Sequence, residues 1–423
     1  MSKIAVIGTG YVGLTTGACF AHIGHDVVCA DVDADKVARL QRGEIPILEA
    51  GLDNLVREGL HDGRLTFVLG AENAVANCEF AYLCVPTPQG ADGSADLSYI
   101  EDAARQIGPL LPSEAVVVNK STVPVGSTRV VERALGRSDV AVVSNPEFLR
   151  EGSAIHDFLH PDRIVIGAED QSAAVKVQSL YLGITAPVIV TDPASAETIK
   201  YAANAFLATK ISFINAVAAV CEAVGADIKD VALGMGYDTR IGHEFLKPGP
   251  GWGGSCFTKD TRAMVRIAED AGYDFNLLKG VVTVNDEQLH RVASKIVDLA
   301  GGSVQGKRIG VWGLTFKART DDMRESPSLA VIAHLVAQGA EVRAFDPSSP
   351  GPIEGIEVVD DPYAAVEGAE VLAVLTEWDE FRWLDVDKVA DAMAAKNVVD
   401  ARNLLDRAAL TRRGFEYEGI GRK

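Results

Sequence analysis

The chain has 423 residues, 48% of them hydrophobic, and a formal net charge of −19. That length predicts two or three domains with ample apolar material for their cores. The acidic balance argues against nucleic acid as a partner, since tracking phosphates needs a basic excess, and no uninterrupted apolar run reaches about eighteen residues, the length a membrane span needs.

The first residues, Met1-Ser2-Lys3-Ile4-Ala5-Val6-Ile7-Gly8, read as a strand entering a glycine turn. They lack the features of a signal peptide, so the expected compartment is the cytoplasm. The six cysteines are Cys19, Cys29, Cys78, Cys84, Cys221 and Cys256. They form no CxxC pair and no cluster with histidine at metal spacing, so free thiols and no metal are expected. All but Cys256 lie in apolar strand or helix patterns.

A strand at Ile4–Ile7 leads into Gly8-Thr9-Gly10-Tyr11-Val12-Gly13, a helix to about Ile23, and a second strand, Asp26–Ala30, ending at Asp31. This is a dinucleotide fingerprint in the context it requires. Gly8 makes the turn, Gly10 lets backbone approach a pyrophosphate, and Gly13 packs helix on strand. The helix start faces the phosphates. Asp31 would bond the adenosine ribose and repel a 2′-phosphate, favouring NAD over NADP. Lys36, at the next helix, fits either a cofactor contact or a solvated charge.

Further strands are predicted at Phe80–Val85, Val116–Asn119 and Val140–Val143. They end in Pro86-Thr87-Pro88, in Lys120–Gly126 and in Ser144–Gly152. Ligands of an open parallel sheet bind outside the carboxyl ends of strands. Thr87, Ser121, Thr122, Glu147 and Glu151 fall there, although capping and turn formation are their ordinary uses. Strands at Ile164–Gly167 and Val188–Val190 close this domain. From Asp192-Pro193 an alanine-rich helical pattern of roughly thirty residues, on the order of 45 Å, runs to Gly225. A helix of this length spans between domains, and its exposed apolar face suits a second subunit. Lys200 and Asn204 share one face of it. The pair fits oxyanion binding or a solvated polar stripe.

Gly249-Pro250-Gly251-Trp252-Gly253-Gly254-Ser255-Cys256-Phe257-Thr258-Lys259-Asp260 is the stretch with the most chemical content. Its glycines permit close ligand approach. Thr258 is expected to cap the helix that follows, which places Cys256 just before the positive end and favours thiolate. Asp260 is expected in the first turn, handling a proton or complementing the dipole. A small inert core residue is the ordinary alternative for Cys256. A helix from about Lys279 to Leu299 and a break at Gly301-Gly302 come next. Strands at Lys307–Trp312, Glu341–Phe345, Val371–Leu375 and Val398-Val399, with a helix from Pro327, make a second Rossmann-like unit without the full glycine fingerprint. Lys317 and Arg402 at its strand ends suit phosphate or ribose, or simple solvation. Gly419–Lys423 is expected to be a frayed tail. The expected fold is α/β, with two Rossmann-like doubly wound domains joined by a long central helix. Its expected parts are residues 1–192 for the NAD-binding domain, 193–300 for a helical dimerisation region with the cysteine loop, and 301–423 for the second Rossmann-like domain.

In combination these motifs resemble the UDP-glucose 6-dehydrogenase family, within the nucleotide-sugar 6-dehydrogenases, over about residues 3–410. They are GTGYVG at Gly8–Gly13, VPTP at Val85–Pro88, KSTVPVG at Lys120–Gly126, NPEFLREG at Asn145–Gly152, Lys200 with Asn204, GGSCFTKD at Gly253–Asp260, and GLTFK with DDMRESP at Gly313–Pro327. The resemblance implies a four-electron oxidation of UDP-glucose to UDP-glucuronate with NAD. Cys256 matches the nucleophile, which passes through a thiohemiacetal and a thioester. Lys200 and Asn204 match the oxyanion holders, and Asp260 and Thr122 the residues that position a water. Glu151 is given the water and thioester stage, and Glu147 a proton-handling or sugar-positioning role. NAD contacts are implied for Tyr11, Val12, Asp31, Lys36, Thr87, Ser121, Thr122, Glu151, Lys259 and Arg324. Nucleotide-sugar contacts are implied for Phe148, Leu149, Phe245, Lys247, Gly249, Gly251, Trp252, Gly253, Phe257, Phe316, Lys317 and Arg402. Arg240 matches an arginine donated by a neighbouring subunit, which implies a homodimer. Open alternatives are the same chemistry on GDP-mannose or a UDP-N-acetylhexosamine, a non-catalytic NAD-binding scaffold, and a single-step hydroxyacid dehydrogenase that needs no cysteine.

Overall fold

Short apolar runs alternate with amphipathic helices, and such a chain buries both by laying helices against parallel sheets. The computed structural model describes residues 1–88, 90 and 95–422. The chain divides into two compact units, Met1–Ala203 and Asn204–Lys423.

The first unit holds β1 (Lys3–Ile7), β2 (Asp26–Asp31), β3 (Leu65–Leu69), β4 (Phe80–Leu83), β5 (Val116–Asn119), β6 (Ala141–Ser144), β7 (Ile164–Gly167) and β8 (Val188–Thr191). They form one sheet in the order β3-β2-β1-β4-β5-β6-β7-β8. β4 and β5 are buried along their whole length, as strands covered on both faces must be. β6 meets β7 antiparallel, Ser144 opposite Gly167, while β7 and β8 run parallel.

The second unit holds β9 (Arg308–Trp312), β10 (Glu341–Phe345), β11 (Ile356–Val358), β12 (Val371–Val374), β13 (Asn397–Asp400) and β14 (Glu416–Gly419), in the order β11-β10-β9-β12-β13-β14. Both sheets follow the 3-2-1-4-5-6 order of dinucleotide-binding folds, so each has its switch point beside its first strand. The expected α/β class, with two doubly wound units and a long helix, is what the structure shows.

The long helix, Pro193–Val224, has 32 residues. It is long and apolar enough to cross a membrane by length and composition alone. Yet Glu197, Lys200, Asn204, Ser212 and Asn215 along it are buried and bonded to protein groups. Phe206, Phe213, Val220 and Val224 are exposed on it, at a spacing that makes one apolar stripe.

The structure corrects the local reading in three places. The cysteine helix starts at Gly254 with Gly253 as its cap, so Cys256 lies inside the first turn and not before it. Thr258 is buried within the helix, and Asp260 falls in the second turn. A tertiary contact decides this start: the Gly254 N–H donates to the Glu325 carbonyl at 3.3 Å. The tail is not frayed. β14 pairs with β13, Ile420 is buried, the Gly421 N–H donates to Glu222 at 2.7 Å, and Arg422 pairs with Asp227 at 3.2 Å. Lys423 lies outside the described residues. β3, β11 and β14 were not anticipated from the sequence at all.

Candidate active site

In the first unit the fingerprint turn behaves as its glycines predict. A Cβ on Gly13 would lie 1.9 Å from the Gly8 carbonyl oxygen, so helix and strand pack without side chains there. A Cβ on Gly10 would meet no protein atom within 4 Å, which leaves that backbone open to a ligand. Gly10 caps the helix Tyr11–His22, whose first turn carries no acid to repel a phosphate. Asp31 accepts hydrogen bonds from the Thr9 N–H and the Lys36 ammonium, each at 2.9 Å. Burial alone would raise its carboxyl, but the Thr9 hydroxyl, Lys36 and backbone amides bring it down to about 2. These residues fit NAD: an open backbone for the pyrophosphate, and an ionised acid for the ribose. Thr87 and Thr122 are joined through the Thr87 hydroxyl and the Thr122 carbonyl at 2.9 Å, and Ser121 donates to the Val85 carbonyl at 2.7 Å.

Also in the first unit, Glu147 and Lys200 form a buried ion pair at 2.9 Å. Burial pushes the Glu147 carboxyl up. The Lys200 ammonium, its hydrogen bond, the Leu149 N–H and Lys120 more than offset this and hold it below its ordinary value. Phe148 stands beside the pair, with the Arg163 guanidinium 3.7 Å and the Lys200 ammonium 5.4 Å from its ring centre. Glu197, one turn before Lys200, accepts from the Gly126 N–H at 2.6 Å, the Thr128 N–H at 3.0 Å and the Thr128 hydroxyl at 2.7 Å. It fastens the end of the loop that bears Ser121 and Thr122. Neither Glu197 nor the buried Lys120, which donates to Asn145 at 3.2 Å, was singled out from the sequence.

In the second unit Cys256 is exposed, whereas Cys19, Cys29, Cys78, Cys84 and Cys221 are buried free thiols. Cys256 lies in the first turn of a 17-residue helix. Asp260 is fully buried, accepts from the Asn204 amide at 2.6 Å and has the Lys259 ammonium 3.5 Å away. The glycine loop is held by side chains that sequence reasoning passed over. Asn215 accepts from the Gly249 N–H at 2.9 Å, and Gln288 donates to the Gly249 carbonyl at 2.8 Å. Asn285 bonds both the N–H and the carbonyl of Trp252, at 2.8 Å and 3.1 Å. The Trp252 indole is buried against Ala205, Ala208, Leu278 and Val281 and donates to Ser212 at 2.9 Å. It stiffens the loop from behind. The available signal was polar residues three apart, Ser212 with Asn215 and Asn285 with Gln288, breaking apolar helix faces.

Around that loop, a Cβ on Gly249 would come within 3.3 Å of the Arg402 guanidinium, and one on Gly254 within 2.8 Å of the Phe316 ring. Arg402 pairs with Glu377 at 3.0 Å and donates to the Leu375 and Phe316 carbonyls at 2.8 Å and 3.1 Å. The Lys317 ammonium lies 5.4 Å from the Phe316 ring centre, and Phe245 and Phe257 stand with ring centres 6.3 Å apart. A glycine loop, an exposed thiol and a basic, aromatic rim are thus brought together. Lys247, Arg240 and Arg324 are exposed, the last two paired with Asp238 and Asp322 at 2.6 Å.

Three family models match the chain in succession. They describe the UDP-glucose/GDP-mannose dehydrogenase family: its NAD binding domain over residues 2–185, its central domain over 194–287 and its UDP binding domain over 310–407. The chain belongs to this family. It is 47% identical over 435 residues to a UDP-glucose 6-dehydrogenase of Rhizobium meliloti (strain 1021), covering 99% of each chain. It is 47% identical over 432 residues to one of Bacillus subtilis (strain 168), covering 100% of this chain and 94% of that one. Among solved structures, a UDP-glucose dehydrogenase from Pyrobaculum islandicum superposes with a TM-score of 0.92 at 40% identity, covering 100% of this chain and 98% of the other. A UDP-D-ManNAc dehydrogenase from Pyrococcus horikoshii superposes with a TM-score of 0.88 at 28% identity, covering 99% of each. In the family's terms, the fingerprint and Asp31 stand in the NAD binding domain, Cys256 in the central domain, and Phe316, Lys317 and Arg402 in the UDP binding domain.

Proposed function

We propose that this chain is an NAD-dependent UDP-glucose 6-dehydrogenase, which oxidises the C6 alcohol of UDP-glucose to the carboxylate of UDP-glucuronate. The observation that carries the reading is the exposed Cys256 thiol in the first turn of its helix, in the same unit as the Asn204–Asp260 pair. Relatives named UDP-glucose 6-dehydrogenase at 47% identity support the substrate.

NAD supplies a hydride acceptor at each of two stages. The chain's own residues do the rest. Lys200 and Asn204 hold the C6 oxygen as charge develops on it. The Cys256 thiolate adds to the aldehyde carbon; the new C–S bond makes that carbon tetrahedral, so a second hydride can leave. The resulting thioester is attacked by water, the C–S bond breaks and the thiolate returns. Asp260 and Thr122 position that water, Glu151 serves the same stage, and Glu147 handles a proton or positions the sugar beside Lys200. The Asp260 Oδ1 atom is buried and accepts no hydrogen bond among the described residues, with the Lys259 ammonium 3.5 Å away, which suits a bound water. One alcohol, two NAD and one water give one carboxylate, two NADH and the released protons. Lys247, Lys317, Arg240 and Arg402 supply positive charge for the diphosphate.

NADH released per limiting UDP-glucose tests this. Two NADH and a carboxylate product are expected. One NADH and an aldehyde would remove the thioester stage. No NADH would turn the reading to the same chemistry on another nucleotide sugar, which the fit to the UDP-D-ManNAc dehydrogenase favours as runner-up.

The same proposal assigns residues 1–192 to NAD, 193–300 to dimerisation and the cysteine loop, and 301–423 to the UDP-sugar. It also places the enzyme in the cytoplasm, where six free cysteines persist reduced. The partner for Phe206, Phe213 and Val220 is a second copy of this chain, with Arg240 donated across the dimer. A Phe213→Glu variant should then sediment as a monomer and lose at least about tenfold in turnover, since a charge in a dry interface is not accommodated. A dimeric or fully active variant would count against the dimer.

A further inference from the structure

Glu49 lies just before the helix Leu52–His61 and is buried. Its carboxylate gathers donors from two separate stretches of the first unit. The Gly152 N–H donates to Oε2 at 2.6 Å and the Ala154 N–H to Oε1 at 2.8 Å. The Tyr11 hydroxyl donates to Oε2. That hydroxyl also accepts from the Gly152 N–H at 3.1 Å and lies 3.4 Å from the Arg150 carbonyl. Burial first, and then Glu49 itself, raise the Tyr11 hydroxyl far above its ordinary pKa, so it stays a neutral donor. Tyr11 is the first residue of the fingerprint helix. Gly152 directly follows Glu151 and closes the loop that also bears Glu147.

A buried carboxylate is tolerated only when its oxygens are bonded, and charge-assisted bonds of this kind are short and directional. Glu49 is therefore a rigid joint. A shift of Tyr11 toward a ligand at the helix start moves a group that the carboxylate shares with the Gly152 amide. We propose that Glu49 is a positioning residue that couples occupancy of the dinucleotide site to the placement of the Glu147–Gly152 loop. The catalytic meaning of that loop rests on the function proposed above; the joint does not.

The test is Glu49→Gln, read first without catalysis. Amide hydrogen exchange at Gly152 and Ala154 in the NAD-free protein should become at least about tenfold faster, since a neutral amide cannot replace a carboxylate that accepts charge-assisted bonds at both oxygens. NAD binding, followed by fluorescence titration, should weaken by about tenfold while KM for UDP-glucose moves less than about threefold. Tyr11→Phe should show the same pattern more weakly, and the double variant should lose less than the sum, because both changes cut one link. Unchanged amide protection and NAD affinity would overturn the proposal, as would an equal loss for both substrates or a strictly additive double variant. If Glu49→Gln fails to fold, exchange and NAD affinity in Tyr11→Phe decide alone. Failure of the dehydrogenase reading would appear separately, as no NADH with the exchange pattern intact.

Discussion

Cys256→Ser is expected to reduce complete oxidation by at least about a thousandfold, as removal of a nucleophile does when no neighbour can replace it. A hydroxyl in the same first turn gains too little from the helix N-terminus to ionise near neutral pH, whereas a thiol starts within reach of it. The loss should be confined to the stages after the aldehyde. NAD affinity should stay at the wild-type value, because the groups fitted to NAD are the fingerprint backbone and Asp31 and not the thiol. Rapid quenching of the wild type with substrate should show an added mass on the Cys256 peptide, and the variant should show none. Near-normal double oxidation by Cys256→Ser would remove the thiol from the mechanism and revive a single-step dehydrogenase.

Lys200→Ala is expected to harm stability and chemistry together. Glu147 is buried, and the Lys200 ammonium is the largest influence opposing its desolvation. Removing one partner of a buried pair costs about 3–5 kcal/mol. In the wild type the Glu147 carboxyl is held below its unfolded value. Its contribution is present above that unfolded value and is lost as pH falls through the folded one. In the variant burial dominates and the carboxyl rises above its unfolded value. Its cost is then largest at neutral pH and fades as acid protonates it. The gap between the two proteins in urea unfolding should therefore close on acidification. A gap that is constant with pH would show that Glu147 does not carry the effect. Turnover should fall by about 10²–10³ from the lost oxyanion contact. Unchanged turnover in folded variant would sink that role.

Much of this protein was legible as a string. Each strand of the first sheet that bears a site loop was predicted to within a residue or two, because continuous apolar runs ending in polar turns leave few alternatives. The fingerprint was readable because glycine is the side chain that allows the Gly13 approach to Gly8. Cys256 stood out because its loop is unlike those of the buried cysteines. These are local signals, written in neighbouring residues.

What the sequence left open depends on partners distant in the chain. The cysteine helix starts at Gly254 because of Glu325, a residue far downstream, so a reading of local caps chose Thr258 and put Asp260 one turn too early. The tail is ordered because Glu222 and Asp227, about two hundred residues earlier, hold it. Asn215, Asn285, Gln288 and Glu197 look like ordinary polar helix residues until the backbone groups they bond are seen. Glu49 has no motif of its own, and its meaning comes wholly from Tyr11, Gly152 and Ala154. The sequence by itself determined the fold class, the dinucleotide fingerprint and the place of Cys256 in a glycine-rich loop, since each follows from spacing or backbone sterics. The tertiary structure alone decided which buried polar groups are satisfied and by whom, because burying a donor or acceptor demands a partner that chain order does not name.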